Sequence, residues 1–273
     1  LFEEHLRLYP NSDKIPAALY YLGRLAEEKG EGAIARTYFE RLAALFSNYY
    51  YASLARARLS EPVFQNASAA DEVDQFLSEA GVSGRPAPES FKQTGELSSR
   101  LDRASVLYAS GLLSWAEQEL QFAAKRGPER HLVGMELAQI ALAGGDYQRA
   151  LRTMKRFNPG YQAFPFESAP RQYWEMLYPF HFRDYIEKEA KSKGLDPFLV
   201  AGLVRQESEF NANAVSRAKA HGLIQIMPAT GKMLSRQVGI QRFSTGLLLD
   251  PAQNLRMGTH YLRSLIDSFE GRI

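Results

Sequence analysis

The chain has no cysteine in its 273 residues, which excludes disulfides and thiolate chemistry. That composition is compatible with an oxidising compartment and does not by itself demonstrate one. Charge of one sign is lacking too. Lysine and arginine number 33 against 31 aspartates and glutamates, a formal net charge of +2, and such a balance does not mark a nucleic-acid binder. Histidine is scarce: His5, His131, His181, His221 and His260 lie far apart, with no helical pair and no adjacent carboxylate motif of the metal-binding kind. Neither a metal nor a cofactor is expected. No window approaches the apolar length that spans a bilayer, and no segment alternates apolar and polar residues as a half-buried strand does. What is present, 45% hydrophobic and 23% charged residues, is the composition of an ordinary soluble globular protein with one or two domains. The chain opens inside an amphipathic pattern (Leu1, Phe2, Leu6, Tyr9), with no cap or signal peptide before it, and stops at Ile273 without a terminating element. The expectation is a fragment cut at both ends.

Helical signals dominate. Gly30, Gly111 and Gly145 are each followed five residues on by an alanine (Ala35, Ala116, Ala150) and four residues later by an apolar residue (Phe39, Leu120, Met154). Gly111 and Gly145 stand 34 residues apart, the period of tetratricopeptide-type helix pairs, although Gly30 is out of phase and the full consensus is missing. Small residues at these positions let antiparallel helices approach closely, and stacked pairs bury a continuous core. The expected architecture is therefore all-α: a solenoid of tetratricopeptide-like helical hairpins over 1–160, then a second helical domain over 181–273. Gly81–Ser90 reads as a loop, and Asn158–Pro170, with three prolines, suits a boundary. The aromatics that follow (Tyr173, Trp174, Tyr178, Phe180, Phe182, Tyr185) are expected to pack, which makes 161–180 a linking and packing segment. The last domain is predicted to have helices around 181–193, 197–210, 228–238 and 251–269, the final one turning Leu255, Tyr261, Leu262, Leu265, Ile266 and Phe269 inward.

One carboxylate stands out. Asp196-Pro197 is a helix start, an N-cap side chain followed by a residue pre-set for the first helical position. After it, Leu199/Val200 and Leu203/Val204 recur at helical spacing, and the stripe continues onto Glu207. Burial there favours the protonated acid and raises its pKa, as a general acid near neutral pH requires. A structural reading stands beside it: a semi-buried glutamate paired with Arg205 or Arg217, or satisfied by backbone donors. A second carboxylate of the two-acid glycosidase kind is not obvious. Glu209, two residues on, points off the other side of the helix. Ser208 sits in no nucleophile elbow, and His221 has no visible orienting acid.

Gln206-Glu207-Ser208, then Ser216, then Gly222-Leu223-Ile224-Gln225-Ile226-Met227-Pro228-Ala229-Thr230, resembles the catalytic domain of the soluble lytic transglycosylases. The motif likeness extends over roughly 195–265 and includes LLLDPAQNLRMGTHYL; over 1–160 the likeness to the large periplasmic members is one of architecture. The resemblance implies a lysozyme-like domain that cleaves the β-1,4 bond between N-acetylmuramic acid and N-acetylglucosamine without water, leaving a 1,6-anhydromuramoyl end. Glu207 matches the family's single catalytic acid, which protonates the leaving oxygen and then takes a proton from the sugar's C6 hydroxyl. The substrate's own N-acetyl group stabilises the anomeric centre, so a partner carboxylate is not needed. Ser216, Gln225 and Met227 fall on positions that line the saccharide groove, with Ser208 and Gly222 counted among the binding residues. The implied partners are peptidoglycan glycan strands, with other cell-wall enzymes docking on the helical domain, no nucleic acid and a monomeric chain; the implied location is the periplasm or cell envelope. Two departures stand out. Lys219 lies where the family often has glycine, and an Ala-Tyr-Asn motif expected on the next helix falls after Ile273. The 273-residue chain is accordingly expected to be inactive or nearly so on purified peptidoglycan, and a longer chain with the motif active. The rival readings are a non-catalytic helical-repeat scaffold binding glycan or protein, and lysozyme-type hydrolysis leaving a reducing end.

Overall fold

The computed structural model describes residues 1–65, 68–84, 87–88, 90–126 and 129–269; parts of the expected 81–90 loop and the last residues of the chain lie outside them. Among the described residues there are fifteen α-helices and no strand, only isolated bridges from His221 to Val215 and to Ile226. The all-α expectation holds. The chain forms two compact units, one of residues 1–94 with 158–171, the other of 95–157 with 172–273.

The first unit carries α1 (Phe2–Leu8), α2 (Ile15–Glu28), α3 (Gly32–Leu45), α4 (Tyr50–Leu59), α5 (Pro62–Gln65) and α6 (Asp71–Glu79). Its centre is the α2/α3 hairpin. Gly23 lets the two helices close, because a Cβ there would lie 2.5 Å from the Phe39 ring. Phe39, Ala35 and Leu42 are fully buried, and a phenylalanine taken wholly from water contributes about 2–3 kcal/mol. The 158–171 segment is fastened to this unit by Asn48, whose backbone N–H donates to the Gln162 carbonyl at 2.8 Å and whose side-chain amide donates to the Phe164 carbonyl at 2.5 Å.

The second unit carries α7 (Gly95–Ala109), α8 (Leu113–Arg126), α9 (Arg130–Ala143), α10 (Tyr147–Phe157), α11 (Arg171–Leu177), α12 (Arg183–Ser192), α13 (Pro197–Glu207), α14 (Pro228–Gln237) and α15 (Pro251–Ser268). The cadence seen in the sequence becomes the same turn at α2–α3, α7–α8 and α9–α10. Glu31, Leu112 and Asp146 each donate a backbone N–H to the carbonyl five residues back (Ala26, Leu107, Ala141), every bond 2.9 Å long, with the preceding glycine left-handed. This is the glycine-terminated helix end that satisfies orphan carbonyls. The alanines and apolar residues that follow are buried, Ala116 and Leu120 in α8, Ala150 and Met154 in α10.

The last part of the chain, α12 to α15, packs Ile186, Val200, Val204, Phe210, Leu223, Leu255 and Ile266 into one core. Both Asp-Pro starts form as expected. Asp196 accepts from the Phe198 N–H and Asp250 from the Gln253 N–H, each at 2.8 Å. On α15 the inward face differs from expectation. Leu255 and Ile266 are buried and Leu262 half-buried, but Tyr261, Leu265 and Phe269 are exposed: Tyr261 and Leu265 lie roughly 120° and 80° round the helix from the 255–262–266 line, and Phe269 is the cap residue past its last turn. Of the aromatics, Tyr173 and Trp174 are buried edge to face (centroids 5.1 Å) while Tyr185 is exposed.

Candidate active site

Helix α13 ends at Glu207, three residues before the expected limit. Ser208 closes it, its N–H donating to the Val204 carbonyl at 3.1 Å. Glu209 (φ 53°) and Phe210 (φ 63°) then take left-handed backbone, which breaks the helix and drives the Phe210 ring into the core at 1% exposure. Val200, Val204 and Ser208, at four-residue spacing, form the buried line. Glu207, one residue before Ser208, is turned about 100° away from it, and its side chain is exposed rather than buried. The expectation of a carboxylate on the core stripe is therefore corrected: Ser208 holds that position. The structural ion-pair reading is not realised either. Arg205 donates from Nε to the Leu177 carbonyl at 2.9 Å and lies over the Tyr178 ring, and neither it nor Arg217 pairs with Glu207.

Glu207 stands at an open, polar pocket of about 660 Å3. Ser208, Ser216 and Gln225 line it as well, so four of the residues singled out in the sequence share one wall. Gly222 lies behind that wall and Met227 outside it, exposed as the cap residue of α14. Ser216 closes the 216–220 turn, its hydroxyl accepting from the Ala220 N–H at 3.0 Å. That turn holds Lys219 at φ 67°, the left-handed region that favours glycine. Gln225 spends its amide N–H groups inside the loop, on the carbonyls of Gly222 (2.8 Å) and Ala214 (3.3 Å).

Gly222 has no room for a side chain. A Cβ would come within 2.0 Å of the Leu248 carbonyl oxygen and 2.3 Å of Asn254 Nδ2. Asn254, fully buried on α15, explains the fit: it donates to the carbonyls of His221 (3.0 Å) and Leu248 (2.8 Å) and accepts from the Ile224 N–H (2.8 Å). One side chain thus satisfies three buried backbone groups of the loop. Asn254 was not among the residues marked in the sequence, where its signal is a lone amide on the apolar side of a helix. Three further lining residues, Gln148, Arg152 and Lys155, come from α10, more than fifty residues upstream, with no motif to flag them.

The second carboxylate at the pocket behaves differently. Glu209 is mostly buried and receives Arg152 Nε at 2.5 Å and Lys155 Nζ at 2.7 Å. Burial works to raise its pKa, but the hydrogen bonds and charges of Lys155 and Arg152 outweigh burial and hold it below the usual carboxylate value. It is a fixed anion. The pocket therefore presents one carboxyl free of partners, Glu207, among amide, hydroxyl and cationic groups that suit a hydroxyl-rich ligand. Among the described residues no cluster of His, Asp or Glu is placed to hold a metal ion, and no helix is long and apolar enough to cross a membrane.

The family model of the transglycosylase SLT domain matches residues 184–273. Those residues are similar to an SLT domain. The membrane-bound lytic murein transglycosylase C of Actinobacillus pleuropneumoniae is 38% identical over 86 residues, 31% of this chain and 24% of that protein. The soluble lytic murein transglycosylase of Escherichia coli K12 is 32% identical over 100 residues, 35% of this chain and 16% of that protein. Among solved structures, an inactive mutant of the lytic transglycosylase Slt from Pseudomonas aeruginosa aligns over 99% of this chain and 42% of its own, with a TM-score of 0.60 at 22% identity. The 70-kDa soluble lytic transglycosylase of Escherichia coli aligns over the same shares at a TM-score of 0.58 and 20% identity, and its complex with bulgecin A at 0.59. At these identities the structures establish the fold alone, all-α and lysozyme-like. The chain spans a quarter or less of the length of these sequence relatives.

Proposed function

We propose that this protein is a peptidoglycan lytic transglycosylase whose acid and base are the same residue, Glu207. The observation that carries this is the contrast at the pocket: of its two carboxylates, Glu209 is locked as an anion by two cations and Glu207 alone is free. A single available carboxyl does not fit the two-acid glycosidase scheme, which needs an acid and a second carboxylate across the bond. It fits a reaction in which the substrate supplies the nucleophile. Glu207 gives its proton to the glycosidic oxygen as the C1–O4 bond breaks, and the N-acetyl group stabilises C1. The resulting carboxylate then takes the proton from the C6 hydroxyl as O6 bonds to C1. Atoms and protons balance without water, and the 1,6-anhydromuramoyl end follows.

Because Glu207 is open to solvent here, the glycan itself must complete its environment. A strand filling the pocket excludes water from the carboxyl, and desolvation favours the protonated form. Ser216 and Gln225 serve as the polar wall for the sugar, with Ser208 and Gly222 holding that wall's backbone and Met227 contacting the strand beyond it. The division of labour proposed for the chain is a helical-repeat domain over 1–160, a packing segment over 161–180 and the catalytic domain over 181–273. Peptidoglycan strands in the periplasm or cell envelope are the partner, and no cofactor takes part. The test is Glu207→Gln in a longer chain that carries the Ala-Tyr-Asn motif. Loss of at least about a thousandfold in release of soluble muropeptides from sacculi is expected for removal of the only acid. Release at the wild-type rate would remove Glu207 from the chemistry and favour the non-catalytic scaffold.

A further inference from the structure

The turn that carries Glu207 is fastened by a helix outside the SLT match. On α10, Gln148, Arg152 and Lys155 lie four and three residues apart, one stripe of the helix. Gln148 donates to the Ser208 carbonyl at 3.3 Å and accepts from the Asn211 side-chain amide at 3.1 Å. Arg152 and Lys155 grip the two oxygens of Glu209. Beside them Tyr147 stacks on His181 (centroids 3.9 Å), which in turn meets the Phe210 ring edge-on at 5.4 Å. Each residue from Ser208 to Asn211 is thus tied to α10, directly or through His181.

Those ties hold an unfavourable backbone. Glu209 and Phe210 are consecutive non-glycine residues at positive φ, a strained backbone that persists only where the surroundings over-determine it. The SLT segment supplies the buried Phe210 ring and local bonds, Ser208 N–H to the Val204 carbonyl and Asn211 N–H to the Ser208 carbonyl, each at 3.1 Å; α10 supplies the side chains that hold the turn from outside. For global stability the ion pairs are worth little, since Arg152 is 64% exposed. Their effect falls on the residues directly after Glu207.

We propose that α10 is a positioning element of the active site: Gln148, Arg152 and Lys155 hold the 208–211 turn and so fix where the Glu207 carboxyl sits. The proposal rests on Glu207 being the acid. It also sets the charge around that acid, because the groups facing the pocket are Arg152 and Lys155 from α10 and Arg205 and Glu209 from α13 and its turn. Removing the two α10 cations leaves Glu209 as an uncompensated anion two residues from Glu207, which favours the protonated acid. Removing the Glu209 charge leaves the cations uncompensated and does the reverse.

The experiment compares wild type with Arg152→Ala/Lys155→Ala, Glu209→Gln and the conservative exchange Arg152→Lys/Lys155→Arg. In the longer, motif-bearing chain both disrupting variants should lower kcat about tenfold or more while KM moves less. The alkaline limb of kcat/KM should move to higher pH in the first and lower pH in the second. The conservative exchange should recover most of the loss. In the 273-residue protein, hydrogen exchange at the Ser208–Asn211 amides should quicken about tenfold in the disrupting variants with α15 unchanged, a readout that requires no catalysis. Wild-type kcat, unmoved pH limbs and unchanged exchange would overturn the proposal. Exchange that quickens equally in α15 would also overturn it, since the pairs would then be general stability elements. If Glu207→Gln retains activity, the functional reading fails instead, and the exchange result alone decides the role of α10.

Discussion

Gly145, in the turn between α9 and α10, and Gly222, in the loop before α14, share almost the same backbone, φ 74° and 77°. Around Gly145 a side chain would meet nothing within 4 Å; at Gly222 it would overlap the Leu248 carbonyl and Asn254. The hairpin asks only for glycine's conformation, whereas the pocket wall also asks for its missing side chain. Hairpin turns repeat because a local bond pattern closes them. The loop beside Glu207 is held by distant groups, Asn254 from α15 and Gln148, Arg152 and Lys155 from α10.

That difference sets a graded series of effects. Gly222→Ala should be the most damaging, costing about 3 kcal/mol or more because left-handed strain and steric overlap add; chemical denaturation measures it. Asn254→Ala comes next, at about 2–4 kcal/mol, since it leaves the Ile224 N–H and the Leu248 carbonyl without their Asn254 partner and the His221 carbonyl with the Ile226 N–H alone. Gly145→Ala should cost only about 1 kcal/mol, the conformational part alone. A Gly145 penalty equal to that of Gly222 would break the comparison. Glu209→Gln should change global stability least, under about 1 kcal/mol, and in a pH-dependent way. The folded-state pKa of Glu209 is held below its ordinary 4.5. Its contribution is therefore present above that value and lost as pH falls through the folded value. The gap in urea midpoint between wild type and Glu209→Gln, present at pH 7, should close as pH is taken below 4.5.

The same contrast governs what could be read from the chain. The hairpins were legible because their determinants are local: Gly30, Gly111 and Gly145 mark helix ends and the alanines five residues on mark close contacts. The Asp-Pro starts of α13 and α15 were legible for the same reason. Glu207 was found, but its surroundings were misjudged. The buried line of Val200 and Val204 continues to Ser208 and not to Glu207, and Glu209 and Phe210 then adopt positive φ. Nothing in local periodicity announces two left-handed residues that depend on contacts more than fifty positions away. Gln148, Arg152 and Lys155 read as an ordinary polar helix face until the fold brings them to Ser208, Glu209 and Asn211.

The central claim is that one unpaired carboxyl cuts the glycan without water. Mass spectrometry of muropeptides released from purified sacculi by the motif-bearing chain tests it most directly. Products ending in 1,6-anhydromuramic acid, lighter by one water than reducing ends and absent with Glu207→Gln, are the predicted result. Reducing ends as the primary product would contradict it and assign Glu207 to hydrolysis.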